Sequence, residues 1–290
     1  MTTIRKFNTN TTIALQIKAN RALIHLAQDF IYASSTYGKI IISEVYSAEK
    51  TIKPINLGGK LGGTKYIVQN ILFKFAVDES GLYSDYAAAK VAGHELKGLI
   101  NYFNCNIEDL CLPLMSLVDY RGFRLIAMSI LPIRGSETII YGSDNYGETI
   151  HNKNADMRAL LKRAAHMMNI KEHRCGISIK SSSSICSPAD LEGHLGTDGR
   201  LYLLDFSRVL PPETPVHGIQ NAHLYRLLRP EHVKLFEQPL CSDAFSGFIR
   251  KFNYKEDNNE IRKATDKLIS ETIPQFAGDL TAMMLEARNK

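Results

Sequence analysis

Apolar residues recur at helical spacing from about Thr12 to Ala33 (Leu15, Leu23, Leu26, Ala27, Phe30), which predicts a surface helix. KIIISEVY follows as an expected strand, because a β-branched run favours extended backbone. The stretch KPINLGGKLGGTKYIVQNILFKFAVD then sets four glycines (Gly58, Gly59, Gly62, Gly63) ahead of two apolar runs rich in β-formers, which reads as a glycine-rich turn between or beside strands. DYAAAKVAGHELKGLINYF, residues 85–103, is alanine-rich and amphipathic and predicts a helix. LCLPLMSLVDYRGFRLIAMSILPI reads as a hairpin turning at DYRG. ADMRALLKRAAHMMNI is a second helix, whose Leu and Met stripe is core packing rather than a cofactor box. The serine run Ser181–Ser184 is expected to be a loop, opening onto SPADLEGHLGTDGRLYLLDFSR, a hairpin turning at TDG. From about Gln220 the pattern looks mainly helical and ends in a long amphipathic helix.

The chain of 290 residues shows no internal repeat and no long linker. Three regions are expected: an N-terminal extension over 1–55, a core over 56–250, and a helical segment of the same domain over 251–290. The expected fold class is α+β, with a kinase-like, two-lobed architecture: a β-rich N-terminal half with one key helix, then a mostly helical half.

Composition narrows the classes. Hydrophobic content of 44% and charged content of 22% are those of a globular protein. No apolar run approaches the ~20 residues that span a bilayer, so no membrane insertion is expected. The start, MTTIRKFNTNTT, lacks the apolar stretch of a secretory signal, and a cytoplasmic location is expected. Five cysteines without a CxxC pair suggest reduced thiols. KEHRC places His173 and Cys175 at ligand spacing, but without a second half a metal centre is not expected there. A net charge of +5 permits phosphate contacts without arguing for nucleic acid.

The candidate chemistry is phosphoryl transfer. It needs backbone amides over phosphates, a lysine on them, a carboxylate orienting that lysine, and acids holding magnesium. Gly58, Gly59, Gly62 and Gly63 supply the loop, and Lys74 is a charge within the apolar strand ILFKF. Glu95 follows 21 residues later on the next helix. Asp205 and Phe206 stand where kinases carry the metal-binding DFG, with Ser207 in place of its glycine. Upstream, PADLEGH offers Asp190 as base or positioning group, Glu192 as a second magnesium ligand, and His194 nearby; no HRD motif occurs there. The expected cofactors are therefore ATP and Mg, and the expected activity that of an atypical kinase-like transferase.

GGTKYIVQNILFKFAVD, AGHELKGLINYFNC, LPLMSLVDYRGFRLIAMSILPI, GHLGTDGRLYLLDFSRVLPPE and LYRLLRPE…PLCSDAFSGF together resemble the clustered-mitochondria (CLU) domain, from about Asn56 to Phe248. The resemblance implies roles in mitochondrial distribution and in binding messenger RNAs for mitochondrial proteins, and it supplies no catalytic residues. It carries the alternative function: a non-catalytic module for RNA or for a translation or mitochondrial protein partner, with a host-mimicking effector as one form. Lys60, Lys65, Arg121, Arg124 and Arg134 would be its first phosphate contacts.

Overall fold

The computed structural model describes residues 13–57 and 63–288. Helix α1 (Ile13–Ser43) is longer than its periodicity suggests and absorbs the expected strand: KIIIS is helical. Burial decides against the β propensity of the isoleucine run. Phe30, Ser34, Gly38, Ile41 and Ile42 form the buried stripe, at spacings of three and four residues, while Leu15 and Leu26 stay exposed. Gly38 lets the helix approach the sheet, since a Cβ there would lie 3.1 Å from the Val118 methyls.

The first sheet has the order β1-β2-β5-β4, formed by β1 (Lys65–Val68), β2 (Ile71–Phe75), β4 (Met115–Tyr120) and β5 (Phe123–Ser129). All its pairings are antiparallel. Its hairpins close through left-handed residue pairs, Gln69–Asn70 and Arg121–Gly122, matching the right-handed strand twist. The glycine-rich stretch thus precedes β1 and is not the hairpin turn; Gly58, Gly59 and Gly62 lie outside the described residues. Phe73, Phe75, Tyr66, Leu125, Val118 and the α1 stripe make one hydrophobic core.

The second core is larger. Helices α2 (Asp85–Cys105) and α3 (Ala155–Met168) pack with a sheet ordered β3-β11-β10-β6-β7. Its strands are β3 (Leu110–Cys111), β6 (Ile139–Gly142), β7 (His151–Asn152), β10 (Glu192–Leu195) and β11 (Leu201–Leu204). Ser84 caps α2 by accepting from the Ala87 N–H, and Asn154 caps α3 by accepting from the Met157 N–H. The expected serine loop is partly strand: β9 (Ser183–Ile185) pairs with β8 (His173–Cys175).

The second half is less helical than its pattern suggests. Between Gln220 and Asn253 the chain is mostly irregular, with single-turn pieces such as α4 (Pro230–Val233). Side-chain hydrogen bonds organise this region; Asn169 Nδ2 donates to the carbonyls of both Val233 and Phe236 at 2.9 Å. Regular helix resumes at α5 (Tyr254–Lys267) and continues through a π-helical stretch into α6 (Ile273–Arg288), which buries none of its residues. The fold is thus mixed α+β, with three small sheets among the described residues, and strands occur in both halves. Among the described residues no helix is long and apolar enough to cross a membrane.

Candidate functional site

Charged side chains from both sheets and from α2 act on one another. Lys74 lies near the end of β2, between buried Phe73 and Phe75, and is half-buried itself. Its register partner on β1 is Lys65. The Lys74 charge acts on both Glu95, from α2, and Asp205, at the end of β11. Asp205 also feels Glu192 and Asp190. Glu192 arrives through strand register, because β10 pairs with β11 so that Glu192 opposes Leu204, next to Asp205.

The backbone around Asp205 is held from α2. Glu95, 6% exposed, accepts the Phe206 N–H at Oε1 (2.9 Å) and also meets the Ser207 amide. Glu95 therefore serves the Asp205–Ser207 turn directly, and its tie to Lys74 is through the field rather than a shared hydrogen bond. Phe206 is fully buried, with its ring 5.8 Å from that of Tyr102 on the same helix. Gly98, one turn below Glu95, permits the contact: a Cβ there would sit 2.1 Å from the Phe206 carbonyl oxygen. Gly98→Ala should push the turn off the helix and cost ~2–4 kcal/mol, read as a lower urea midpoint with an unchanged slope, because backbone cannot yield as a flexible side chain can. A loss below ~0.5 kcal/mol would show the approach to be looser than this geometry.

Asp205 adopts a left-handed conformation, φ 59°, which turns its side chain away from the strand direction. Its carboxyl is pushed up to about 8 by burial; Lys74 opposes this, while Glu95, Glu192 and Asp190 add to it. Burial also raises Glu95, against Lys74 and the Phe206 amide. Lys65 shifts down through burial and its like-charged partner Lys74, with Glu79 and Asp205 pulling the other way. Gly63, φ 59°, lies tight on the same hairpin, since a Cβ there would be 2.7 Å from the Phe75 carbonyl oxygen.

The other predicted residues have defined partners. Glu192 Oε2 lies 3.2 Å from His194 Nε2, and His194 Nδ1 lies 3.1 Å from Thr138 Oγ1. Asp190 accepts both arms of the Arg208 guanidinium, from Nε at 2.7 Å and from Nη2 at 2.8 Å. Arg208, 4% exposed, also donates to the fully buried Asp243 at 3.0 Å. Asp243 in turn accepts the Ala189 N–H at 2.9 Å and faces His173 Nε2 at 2.8 Å. Sequence reading passed over Arg208 and Asp243, and it weighed Lys65 only as a surface phosphate contact. Arg208 lies three residues after Asp205, so the buried DFSR run carried a signal; Asp243, in CSDAF, carried none that marks it as a partner. The basic residues of the alternative reading are separately engaged. Arg124 pairs with Asp119 at 2.6 Å, Arg121 lies over the Tyr120 ring, and Lys60 falls outside the described residues.

Asp205, Glu192 and Asp190 thus form a loose acid patch whose charges act on Asp205, with Lys74 opposing them and Asp190 already held by Arg208. Among the described residues these three carboxylates do not all fall within ligating distance of one another.

The sequence profile described as Clustered mitochondria matches residues 2–215, so the match also takes in the stretch expected to be an N-terminal extension. The chain belongs to the clustered-mitochondria (CLU) family. It is 29% identical over 228 residues to a clustered mitochondria protein homolog of Danio rerio, covering 74% of this chain and 15% of that protein. It is 28% identical to the clustered mitochondria protein of Arabidopsis thaliana over 87% of this chain and 21% of the relative. It is 29% identical to the protein clueless of Drosophila ananassae over 91% of this chain and 19% of the relative. The chain thus spans about a fifth or less of the length of these relatives. No solved structure matches it.

Proposed function

We propose that this CLU domain has a kinase-like core that binds a nucleotide with magnesium at the Lys74–Glu95–Asp205 cluster and transfers a phosphoryl or nucleotidyl group. The observation that carries the reading is convergence: Lys65 and Lys74 from one sheet, Glu95 from a helix, and Asp190, Glu192 and Asp205 from another sheet act on one another. Asp205 and Glu192 would be the residues to hold Mg²⁺, which would supply positive charge against the burial and the neighbouring acids that raise Asp205 and against the phosphates. Lys74 and Lys65 would neutralise the phosphates. Glu95 would act as the positioning residue for the Asp205 turn. Asp190, or His194 through Glu192, would take the proton of the attacking hydroxyl. In the long relatives, such a nucleotide-dependent core would serve mitochondrial distribution together with the regions that the match does not cover.

A thermal-shift titration tests this. ATP and MgCl₂ together should raise the melting temperature, since ligand at a hundredfold over its Kd adds about 2.7 kcal/mol to the native state, and either alone should do far less. An unchanged melting temperature at millimolar Mg–ATP would leave the RNA- or protein-binding module as the reading. That module would show RNA affinity falling steeply with salt.

A further inference from the structure

Behind the acid patch lies a second cluster of a different chemical kind. His173, Cys175 and Asp243 each offer one ligand atom, and the three atoms lie within 4.8 Å of one another. All three side chains are buried: His173 is 6% exposed, and Cys175 and Asp243 are 0% exposed. Cys241, also 0% exposed, stands outside that trio but only two residues before Asp243 on the same segment.

The backbone explains the meeting. On β8 alternate side chains share a face, so His173 and Cys175 both point inward while Arg174 stays exposed. Just before β8, the chain runs parallel to the segment ahead of Cys241: Ile170 bridges Leu240, and the Lys171 N–H donates to the Leu240 carbonyl at 2.9 Å. Cys241 and Asp243 repeat the two-residue spacing on that neighbouring segment. Two half-sites, His-x-Cys and Cys-x-Asp, are thereby set side by side. KEHRC alone suggested no metal centre for want of a second half; CSD is that half.

We propose that His173, Cys175, Cys241 and Asp243 form a closed, structural Zn²⁺ site. Two sulfurs, one imidazole nitrogen and one carboxylate oxygen make the tetrahedral four-ligand set that zinc takes in structural sites, and thiolates do not suit magnesium or calcium. Zinc bonds of about 2.0–2.3 Å put ligand atoms roughly 3–4 Å apart, so the 4.8 Å spread of His173, Cys175 and Asp243 needs only side-chain adjustment, and the Cys241 thiol would swing in to complete the four. The outer contacts are those of a metal centre. His173 Nδ1 donates to the Lys171 carbonyl at 3.1 Å, which turns Nε2 toward Asp243 Oδ2 at 2.8 Å, where the ion would replace the proton they share. Asp243 is oriented by the Ala189 N–H and by Arg208. The ion would take the place of the His173 Nε2 proton and of the two thiol protons. Through Asp243, the site would fix the Ala189–Asp190 loop that feeds the acid patch, yet it stands whether or not that patch binds nucleotide.

The test is metal binding by the full chain, purified without chelator and titrated with Zn²⁺ and with Co²⁺. About one Zn²⁺ per chain is expected on elemental analysis. The Co²⁺ form should show thiolate-to-metal charge transfer in the near ultraviolet and intense tetrahedral bands in the visible. Cys175→Ser and Cys241→Ser should each roughly halve the charge-transfer band and weaken Zn²⁺ binding tenfold or more, while Cys105→Ser, at another buried thiol, should change neither. A wild-type chain that holds no zinc against a weak chromophoric chelator, or whose Co²⁺ spectrum lacks charge transfer, overturns the proposal. So does a Cys105→Ser variant that lowers the signal as much as the others. Because the wild-type spectrum decides alone, poor folding of a cysteine variant does not rescue the idea.

Discussion

Asp205→Asn should melt at a higher temperature than the wild-type chain at pH 8, and it should no longer respond to Mg–ATP. The two effects have one cause. The Asp205 carboxyl sits at about 8 in the folded chain, against an ordinary value near 3.8, because burial and three neighbouring acids oppose its charge. An acid raised in this way keeps its proton on folding and loses it on unfolding. Stability from this group is therefore full below about pH 4 and falls as pH rises toward 8. Asn removes the charge, keeps the shape, and tolerates the left-handed backbone. The half-open setting screens the charge, so the gain at pH 8 should be roughly 1–3 kcal/mol rather than the full linkage value. It should shrink to nothing near pH 4. Differential scanning calorimetry from pH 4 to 8, with and without Mg–ATP, reads both effects. An equal difference at all pH values would refute the raised carboxyl, and a retained Mg–ATP response would remove Asp205 from the binding site.

The second large effect is expected at Arg208. Removing its guanidinium leaves Asp243 fully buried with one cation fewer, and frees Asp190 from its two-pronged clamp. Breaking one partner out of a buried pair costs ~3–5 kcal/mol, so Arg208→Ala should unfold at a much lower urea concentration. Arg208→Lys should lie between, because a point charge cannot serve both carboxylates as a planar fork does. The packing of Arg208 over the Phe248 ring is lost in both variants. A cost below ~1 kcal/mol for Arg208→Ala would mean that water reaches Asp243.

The parts of this molecule that sequence shows best are those governed by local repetition. The alternation of ILFKF and the helical stripe of DYAAAKVAGHELKGLINYF put Lys74 on a strand and Glu95 on a helix, as their burial patterns reflect. The order lysine, glutamate, aspartate also drew attention to residues whose charges act on one another. Local propensity misled at KIIIS, where packing on Val118 outweighed the β-branched preference. It was silent on Lys65, whose place beside Lys74 is a matter of register, and on the network of His173, Asp243 and Arg208. Those partners stand 35 and 70 residues from Asp243, and no short-range pattern marks them. The irregular chain between 220 and 253 has no period to read, because side-chain hydrogen bonds rather than a repeating backbone ladder hold it.

The Glu95–Phe206 hydrogen bond joins residues 111 positions apart, and it is the contact that sets the Asp205 turn against its helix. Closing so long a loop carries an entropic cost that must be met before any of the contacts inside it can repay it. The acid patch is therefore a late product of folding: β2 and α2 can form from local contacts, but the patch exists only once β10 and β11 have docked beside them. On the ribosome, a nascent chain that has not yet released residue 206 would carry Lys74 and Glu95 without their third member. Binding competence would thus arrive in a single step, with the closure of that loop.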